Sequence, residues 1–248
     1  MAELSVVIVT IKDEDEILCL PKFEESDFDD YEIIIRGDEG IAKARNEGVK
    51  EANGDKIVFI DDDAEPMDGY LQAAANVLED EYVVAGKVIH PGDGVISRMP
   101  SHYPTGNESQ YVEGVVGCNM GYRREVFDTI GYFDENFLWG HEETEFIERV
   151  KKEYPVYYEP EMGVVHPYAD GIIDYWRKQY RFGPADIYRA KQNGKTDRNI
   201  IKELLNPLWY FNSDPKTLPV YMVGSICKSV SRIQALKNND YVQTGSAR

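Results

Sequence analysis

The sequence predicts an α/β fold in which helices flank a mostly parallel central sheet. Short runs rich in β-branched residues alternate with segments of helical periodicity, at the close spacing that right-handed βαβ units require. The chain has 248 residues, which fits one large α/β domain with a helical appendage. Apolar residues make up 42% and charged residues 29%, a composition typical of a globular protein and not of a disordered one.

Three strands and one helix are predicted within the first 60 residues. Leu4 to Thr10 and Tyr31 to Ile35 are apolar, β-branched runs that end in polar residues, as buried parallel strands do. In residues 40–54, small and apolar side chains recur at helical spacing until Asn53-Gly54 ends the pattern. Lys56 to Ile60 is the third strand, and it leads directly into three aspartates.

The later segments continue the alternation of helices and strands. We expect helices, strands and one loop in this order: a helix over 68–78, a strand over 82–89, a loop over 90–110, an extended segment over 114–121, helices over 124–129 and 142–152, and short strands near 156–159 and 163–166. The loop is rich in Gly, Pro, Ser and Asn, so we expect it to lie over a ligand site. Beyond residue 172 the pattern is helical, with breaks predicted at Gly183-Pro184 and Asn206-Pro207. The domains are therefore predicted as 1–170 and a helical extension over 171–248.

Charge and cysteine content exclude several classes of protein. Lys and Arg number 27 and Asp and Glu 45, which gives a net charge of −18. This surface repels phosphates, so the chain is not expected to bind nucleic acid. Three distant cysteines without a CxxC spacing indicate reduced, mostly buried thiols of a cytoplasmic protein. We predict neither a signal peptide nor a transmembrane helix.

Polar side chains converge at the carboxyl ends of the predicted strands, where α/β sheets bind ligands. Thr10, Arg36, Asp38 and the triplet Asp61–Asp63 all lie at such ends. Clustered carboxylates raise one another's pKa unless a cation neutralises them, and Mg²⁺ or Mn²⁺ commonly bridges such groups to a diphosphate. The alternative interpretation is an acidic, solvated turn in a protein that is acidic throughout.

Two further motifs have both a structural and a functional interpretation. Glu142 and Glu143 lie where a helix begins, and the helix dipole favours negative charge there. They form either a well-capped surface helix or a site in which one carboxylate acts as a general base. His166 follows a short apolar strand, where it is either a packed residue or a metal ligand.

Together these motifs resemble the inverting nucleotide-sugar glycosyltransferases of the family 2 type, which have the GT-A fold. The matching segments occur in the family's order between residues 4 and 167: VVIVT, GIAKARNEGVKEANGDKIVFIDDD, EGVVGCNMGYRREVFDTIGYFDENF, GHEETEFIERV and VVHP. The resemblance implies a metal-dependent, inverting transfer of a sugar from a nucleotide-diphosphate donor to the hydroxyl of a saccharide or lipid-linked acceptor, with Mn²⁺ or Mg²⁺ as cofactor. It also implies a nucleotide-binding half at about 1–89 and an acceptor-side half at about 110–170.

The resemblance assigns roles to individual residues of this chain. The donor-binding residues it implies are Thr10, Arg36, Asp38, Lys43, Arg45, Asp61 and Asp62. The metal ligands are Asp63, Asp61 and His166, and the residues of the acceptor and sugar pocket are Asn119 and Trp139. In the pair Glu142-Glu143 the second residue is the expected base, where the family usually has Asp. The family's acidic turn after the second strand is replaced by RGDEG, so the nucleotide base is not predicted.

Other functions and a membrane contact remain as alternatives. A sugar nucleotidyltransferase shares the sheet and the acidic site, but it normally has a Gly-rich, basic loop where this chain has Thr10-Ile11-Lys12-Asp13-Glu14. A non-catalytic sugar-binding or Ca²⁺-binding module of the same fold is the third class. The segment near the C-terminus has an apolar face at Val223, Cys227, Val230 and Ile233. This face packs on the rest of the protein or on another subunit, or it lies peripherally on an anionic membrane.

Overall fold

The structure is a computed structural model that describes residues 2–99, 103–104, 106–212, 214–239 and 241. The predicted loop over 90–110 therefore lies partly outside the described residues. The chain divides into two compact units. The first comprises Met1–Pro91, His102–Glu135 and Glu142–Pro167, and the second comprises Gly92–Ser101, Asn136–His141 and Tyr168–Arg248.

The first unit contains a mixed sheet that has eight strands within the described residues. The strands are β1 (Leu4–Val9), β2 (Tyr31–Arg36), β3 (Lys56–Asp61), β4 (Glu65–Pro66), β5 (Val83–Ile89), β6 (Gln110–Val112), β7 (Asn119–Arg123) and β8 (Val156–Val165). Their order is β2-β1-β3-β7-β5-β8-β4, and β6 pairs with β8. β1 is parallel to β2 and β3, and β5 is parallel to β8, whereas β7 runs antiparallel to β3 and β5. The predicted α/β class is confirmed.

Helices cover both faces of this sheet. Successive side chains of a strand point to opposite faces, and both faces carry apolar side chains that must be buried. The helices of the first unit are α1 (Leu20–Glu24), α2 (Ile41–Glu51), α3 (Tyr70–Asp80), α4 (Arg124–Ile130) and α5 (Glu142–Val150), with a 3₁₀ turn at Glu14–Glu16. On β1, Val6 and Ile8 join the cluster that contains α3, whereas Val7 joins the cluster that contains α2, α4 and α5. Successive residues of β1 therefore pack on opposite faces of the sheet.

The second unit is helical in its described residues. It contains α6 (Gly171–Gln192), α7 (Asp197–Leu204) and α8 (Leu218–Asn238), with 3₁₀ turns at Ile96–Arg98 and Pro207–Tyr210. On the apolar face predicted for the last helix, Val223, Val230 and Ile233 are 37%, 45% and 53% exposed. These three side chains are thus partly exposed within the described residues. None of the described helices combines the length and the apolar character needed to cross a bilayer.

Two local predictions were wrong. The strands expected near 156–159 and 163–166 are one strand, β8, because β5 pairs with both halves across a register shift between its residues Gly86 and Lys87. The break expected at Gly183-Pro184 is absent, since α6 continues through both residues. α6 packs against α8 so closely that a Cβ on Gly183 would lie 2.2 Å from Ser231 Oγ. Packing of this kind overrides the local cost of a proline inside a helix.

Candidate active site

The carboxyl ends of β1 and β3 bring the first group of predicted residues together. Val9 pairs with Asp61, so the residues that follow the two strands are neighbours. The hydroxyl of Thr10 donates a hydrogen bond to the carboxylate of Asp62, and Lys12 Nζ lies 2.7 Å from Asp62 Oδ1. Lys12 was not among the predicted site residues, although its position just beyond a strand end is the signal that would have found it.

Arg36 and Asp38 form a second group beside the first, at the end of β2. The guanidinium binds the carboxylate through two contacts, Nε–Oδ2 at 2.9 Å and Nη2–Oδ1 at 3.1 Å, and it also binds Glu51 at 2.9 Å. Arg36 lowers the pKa of Asp38, and the nearby charge of Lys43 lowers it further. Lys43 itself is exposed on α2. A cation and an anion are therefore fixed at this end of the sheet.

Arg45 connects the acidic end of β3 to the start of α5. Its side chain is 2% exposed, and Nη1 donates to the carboxylate of Glu142. Nη2 donates to the Gly117 carbonyl at 2.9 Å and lies 3.7 Å from Asp61 Oδ1. The guanidinium therefore pairs with protein groups from both segments, Asp61 and Glu142.

Asp61, Asp63, Cys118 and His166 form one group at this edge of the sheet, the cation cluster. His166 Nε2 lies 3.1 Å from Asp63 Oδ1 and 3.7 Å from Asp61 Oδ2. Ligand atoms of Asp61, Cys118 and His166 all lie within 4.8 Å of one another. Burial alone would lower the pKa of His166, but Cys118, Asp63 and Asp61 around its ring raise it to about 11. An imidazolium therefore neutralises the acids when no other cation does.

These residues fit a divalent cation. They offer carboxylate, imidazole and thiol donors, which together suit ions from Mn²⁺ to Zn²⁺. His166 is 6% exposed, and within the described residues its buried Nδ1 finds no hydrogen-bond partner. Cys118 was predicted only as a buried thiol. Cys118 lies near Asp61 because β7 runs antiparallel to β3, which places the start of β7 beside the end of β3.

The two glutamates at the start of α5 differ in their surroundings. Glu142 is 2% exposed, and within the described chain its Oε2 has no hydrogen-bond partner. Burial and the neighbouring carboxylate of Glu143 raise the pKa of Glu142 to about 8, against the opposing charge of Arg45. Glu143 is only half-buried, and Thr144 Oγ1 lies 3.3 Å from its Oε1. The pair therefore combines a buried, readily protonated acid with a more accessible carboxylate.

Asn119 and Trp139, the two residues predicted for the acceptor pocket, belong to different units of the chain. Asn119 is fully buried: it accepts from the Tyr70 hydroxyl at 3.0 Å and donates to the carbonyls of Lys87 and Met162 at 2.9 and 2.8 Å. These bonds hold Asn119 in the sheet next to Cys118, and its role in the acceptor pocket stays a prediction. Trp139 belongs to the second unit, where its ring contacts Phe182 with 4.6 Å between centroids.

Known proteins resemble this chain in sequence and in fold. Residues 17–131 match the family model described as glycosyl transferase family 2. The uncharacterised glycosyltransferase YwdF of Bacillus subtilis (strain 168) is 30% identical over 146 residues, covering 56% of this chain and 54% of that protein. The glucosyl-dolichyl phosphate glucuronosyltransferase of Haloferax volcanii is 26% identical over 153 residues, covering 54% of this chain and 47% of that protein.

A solved structure, of residues 1–349 of TarS from S. aureus, resembles the chain with a TM-score of 0.51 and 14% identity, over 97% of this chain and 83% of that one. At this identity the likeness concerns the fold alone. The chain spans about half the length of the curated relatives that it matches.

Proposed function

We propose that this chain, whose residues 17–131 match glycosyl transferase family 2, transfers a sugar from a nucleotide-diphosphate donor to an acceptor hydroxyl, with inversion. One observation carries the proposal: the buried Arg45 joins Asp61 of the cation cluster to Glu142 of the glutamate pair. Leaving-group stabilisation and proton removal are the two requirements of such a displacement, and their side chains meet at this residue.

The donor side of the proposal rests on the edge formed by β1, β2 and β3. Asp61, Asp63 and His166 would hold a Mn²⁺ or Mg²⁺ ion, which would neutralise charge on the diphosphate. Thr10 and Asp62 are hydrogen-bonded to each other at the neighbouring strand end, where the ribose and base would bind.

The acceptor side of the proposal rests on the start of α5. The acceptor oxygen attacks the anomeric carbon, the bond from that carbon to the diphosphate oxygen breaks, and the hydroxyl proton passes to Glu143. Attack opposite the leaving group inverts the anomeric configuration in one step. Glu142 and Arg45 are positioning residues, because they hold the start of the helix against Gly117 and Asp61.

The acceptor is a saccharide or a lipid-linked sugar in this proposal. The lipid-linked class is included because the Haloferax relative is named for a dolichyl-phosphate substrate. The acidic surface, with a net charge of −18, gives no reason to expect a nucleic-acid acceptor.

The test is an assay of UDP-, GDP- and dTDP-sugars with Mn²⁺, with Mg²⁺ and with chelator, in which donor turnover and product configuration are measured. We expect cation-dependent turnover of at least one donor, with inversion seen by NMR. Asp63→Asn and Glu143→Gln should each reduce turnover about 100-fold or more, since general-base catalysis is typically worth 10²–10⁴-fold. Glu148→Gln is the matched control, because Glu148 is exposed on the same helix.

Specific outcomes contradict the proposal. Retention of configuration would exclude single displacement, and undiminished transfer by Glu143→Gln would remove that residue as the base. Formation of a nucleotide-sugar from a sugar phosphate and a nucleoside triphosphate would identify a nucleotidyltransferase. Donor binding in calorimetry without turnover of any donor would favour a non-catalytic module.

A further inference from the structure

The cation cluster contains a thiol, although carboxylates and an imidazole would be sufficient to bind Mg²⁺ or Mn²⁺. Asp61 ends β3, Cys118 precedes β7 and His166 follows β8, yet their ligand atoms all lie within 4.8 Å of one another. We propose that Cys118 supplies a thiolate ligand to the divalent cation, so that the site prefers zinc-like ions to Mg²⁺. This inference rests on the proposed function for the presence of a cation, and it names the ligand that sets the selectivity.

The burial of these groups indicates a ligand site rather than ordinary packing. Cys118 is 3% exposed and His166 is 6% exposed. The nitrogen of His166 that faces the acids is Nε2, which lies 3.1 Å from Asp63 Oδ1 and 3.7 Å from Asp61 Oδ2, so an ion in the cluster would bind there in place of the proton. Asp61 is the most accessible of the three residues, because its side chain is 34% exposed.

The spacing of the three donors suits a small tetrahedral ion after a modest contraction. Zinc bonds of about 2.0–2.3 Å place tetrahedral ligand atoms about 3.3–3.8 Å apart. The present atoms lie within 4.8 Å, so a shift on the order of 1 Å brings them into range. Asp61, Cys118 and His166 would leave one tetrahedral position for Asp63, whose Oδ1 lies 3.1 Å from His166 Nε2, and zinc expands to five ligands when a diphosphate oxygen is added.

The thiolate determines the order in which the site binds different divalent ions. On binding, the thiol proton is lost to solvent and the sulfur donates to the ion. Mg²⁺ requires oxygen ligands in near-octahedral geometry, so a buried sulfur in its shell is unfavourable. Zn²⁺ and Co²⁺ accept sulfur, nitrogen and oxygen together. We therefore expect Zn²⁺ and Co²⁺ to bind most tightly, Mn²⁺ more weakly and Mg²⁺ most weakly.

Cobalt titration of the full chain, under reducing and anaerobic conditions, tests the inference. We expect a thiolate-to-cobalt charge-transfer band in the near ultraviolet that saturates at one equivalent. Cys118→Ser should abolish the band and weaken Zn²⁺ binding, measured against a chromophoric chelator, by on the order of 10- to 100-fold or more. Cys227→Ser is the matched control, because Cys227 lies on α8 in the second unit, and it should retain both properties.

The outcomes separate this inference from the proposed function. Cobalt binding without the band, or a band that persists in Cys118→Ser, overturns the role of Cys118 and leaves the glycosyltransferase proposal intact. Failure of every divalent cation to bind, with and without nucleoside diphosphate, overturns both. X-ray absorption of the zinc-loaded wild-type chain needs no variant: it should show one sulfur at about 2.3 Å. A shell of oxygen and nitrogen alone would refute the inference.

Discussion

At the scale of single residues, Arg45 is a buried cation of the first unit. Its guanidinium is 2% exposed and faces Glu142, which is 2% exposed as well. Without Arg45, Glu142 would take up a proton, because its pKa is already raised to about 8, but its carboxyl and the Gly117 carbonyl would lose their buried donor. We therefore expect Arg45→Met to lower the free energy of unfolding by about 1–3 kcal/mol, the cost of unsatisfied buried polar groups, as measured by urea denaturation at pH 7.

The controls for this prediction are a conservative variant and an exposed ion pair. Arg45→Lys should lose less stability than Arg45→Met, but a single ammonium cannot reach Glu142 and the Gly117 carbonyl as a planar guanidinium does. Lys50→Met breaks the pair with Glu47 on the exposed side of α2 and should have no measurable effect. Wild-type stability in Arg45→Met would show that the buried contacts are not formed in solution.

Glu142 makes the free energy of unfolding fall as pH rises. Its pKa is raised from 4.5 to about 8, so the folded chain binds this proton more tightly than the unfolded chain does. Protonated Glu142 therefore adds its full contribution to the free energy of unfolding below a pH of 4.5, its pKa in the unfolded chain. That contribution is lost as pH rises through about 8, its pKa in the folded chain. Glu142→Gln should flatten the fall of the unfolding free energy between pH 5.5 and 8.5 by about 1 kcal/mol or more, judged by urea denaturation at three pH values. Glu148→Gln should keep the wild-type slope; equal slopes in all three proteins would contradict the prediction.

At the scale of elements, the contact between α2 and β1 determines where Arg45 lies. Gly48 faces β1, and a Cβ at that position would lie 2.4 Å from Val7 Cγ1. Replacing Gly by Ala inside a helix gains up to about 1 kcal/mol from propensity, whereas overpacking costs about 1–3 kcal/mol. We expect Gly48→Ala to lower the unfolding free energy, and Gly48→Ala/Val7→Ala to recover part of the loss. Gly114→Ala is the control, since a Cβ there meets nothing within 4 Å. A Gly48→Ala protein as stable as wild type would show that α2 can move away from β1.

The elements differ in how far the sequence predicts them. β1, β2, β3 and α2 were predicted within a residue or two, because β-branched runs and helical periodicity are local signals. The direction of β7 was not predicted, because strand direction depends on which strands it pairs with and not on its own residues. For the same reason β8 appeared as two strands, although β5 pairs with both halves.

In the candidate site, too, contacts set by local sequence signals were predictable, whereas contacts set by long-range pairing were not. The approach of Thr10 to Asp62, and of both to the end of β3, was predictable because parallel strands end at one edge. The place of Cys118 was not, since it follows from the antiparallel direction of β7. The burial of Arg45 was missed for a related reason: an arginine in a helix pattern looks like a surface residue until Asp61 and Glu142 are known to surround it.

At the scale of the whole molecule, the excess of acids has consequences for any anionic ligand. A net charge of −18 repels a diphosphate at long range. The cations Lys12, Arg36 and Arg45 are each paired with a carboxylate, so they add little free positive charge at the site. In the proposed function, a divalent ion at the end of β3 would offset this negative charge when a diphosphate binds.

The same excess charge predicts how the stability of the molecule responds to salt. Repulsion among 45 acidic side chains against 27 basic ones favours expansion, and it is screened as the Debye length falls from roughly 30 Å at 0.01 M to roughly 3 Å at 1 M. Exposed ion pairs weaken under the same conditions, but each contributes only about 0–1 kcal/mol. We therefore expect Tm to rise with NaCl in calorimetry, most steeply below about 0.2 M, where screening changes fastest. Sodium sulfate at equal ionic strength should match NaCl in that range, because exclusion of the salt from the surface acts only at higher concentration. A Tm that stays constant or falls below that concentration would mean that the acids are already neutralised, by bound protons or by local cations.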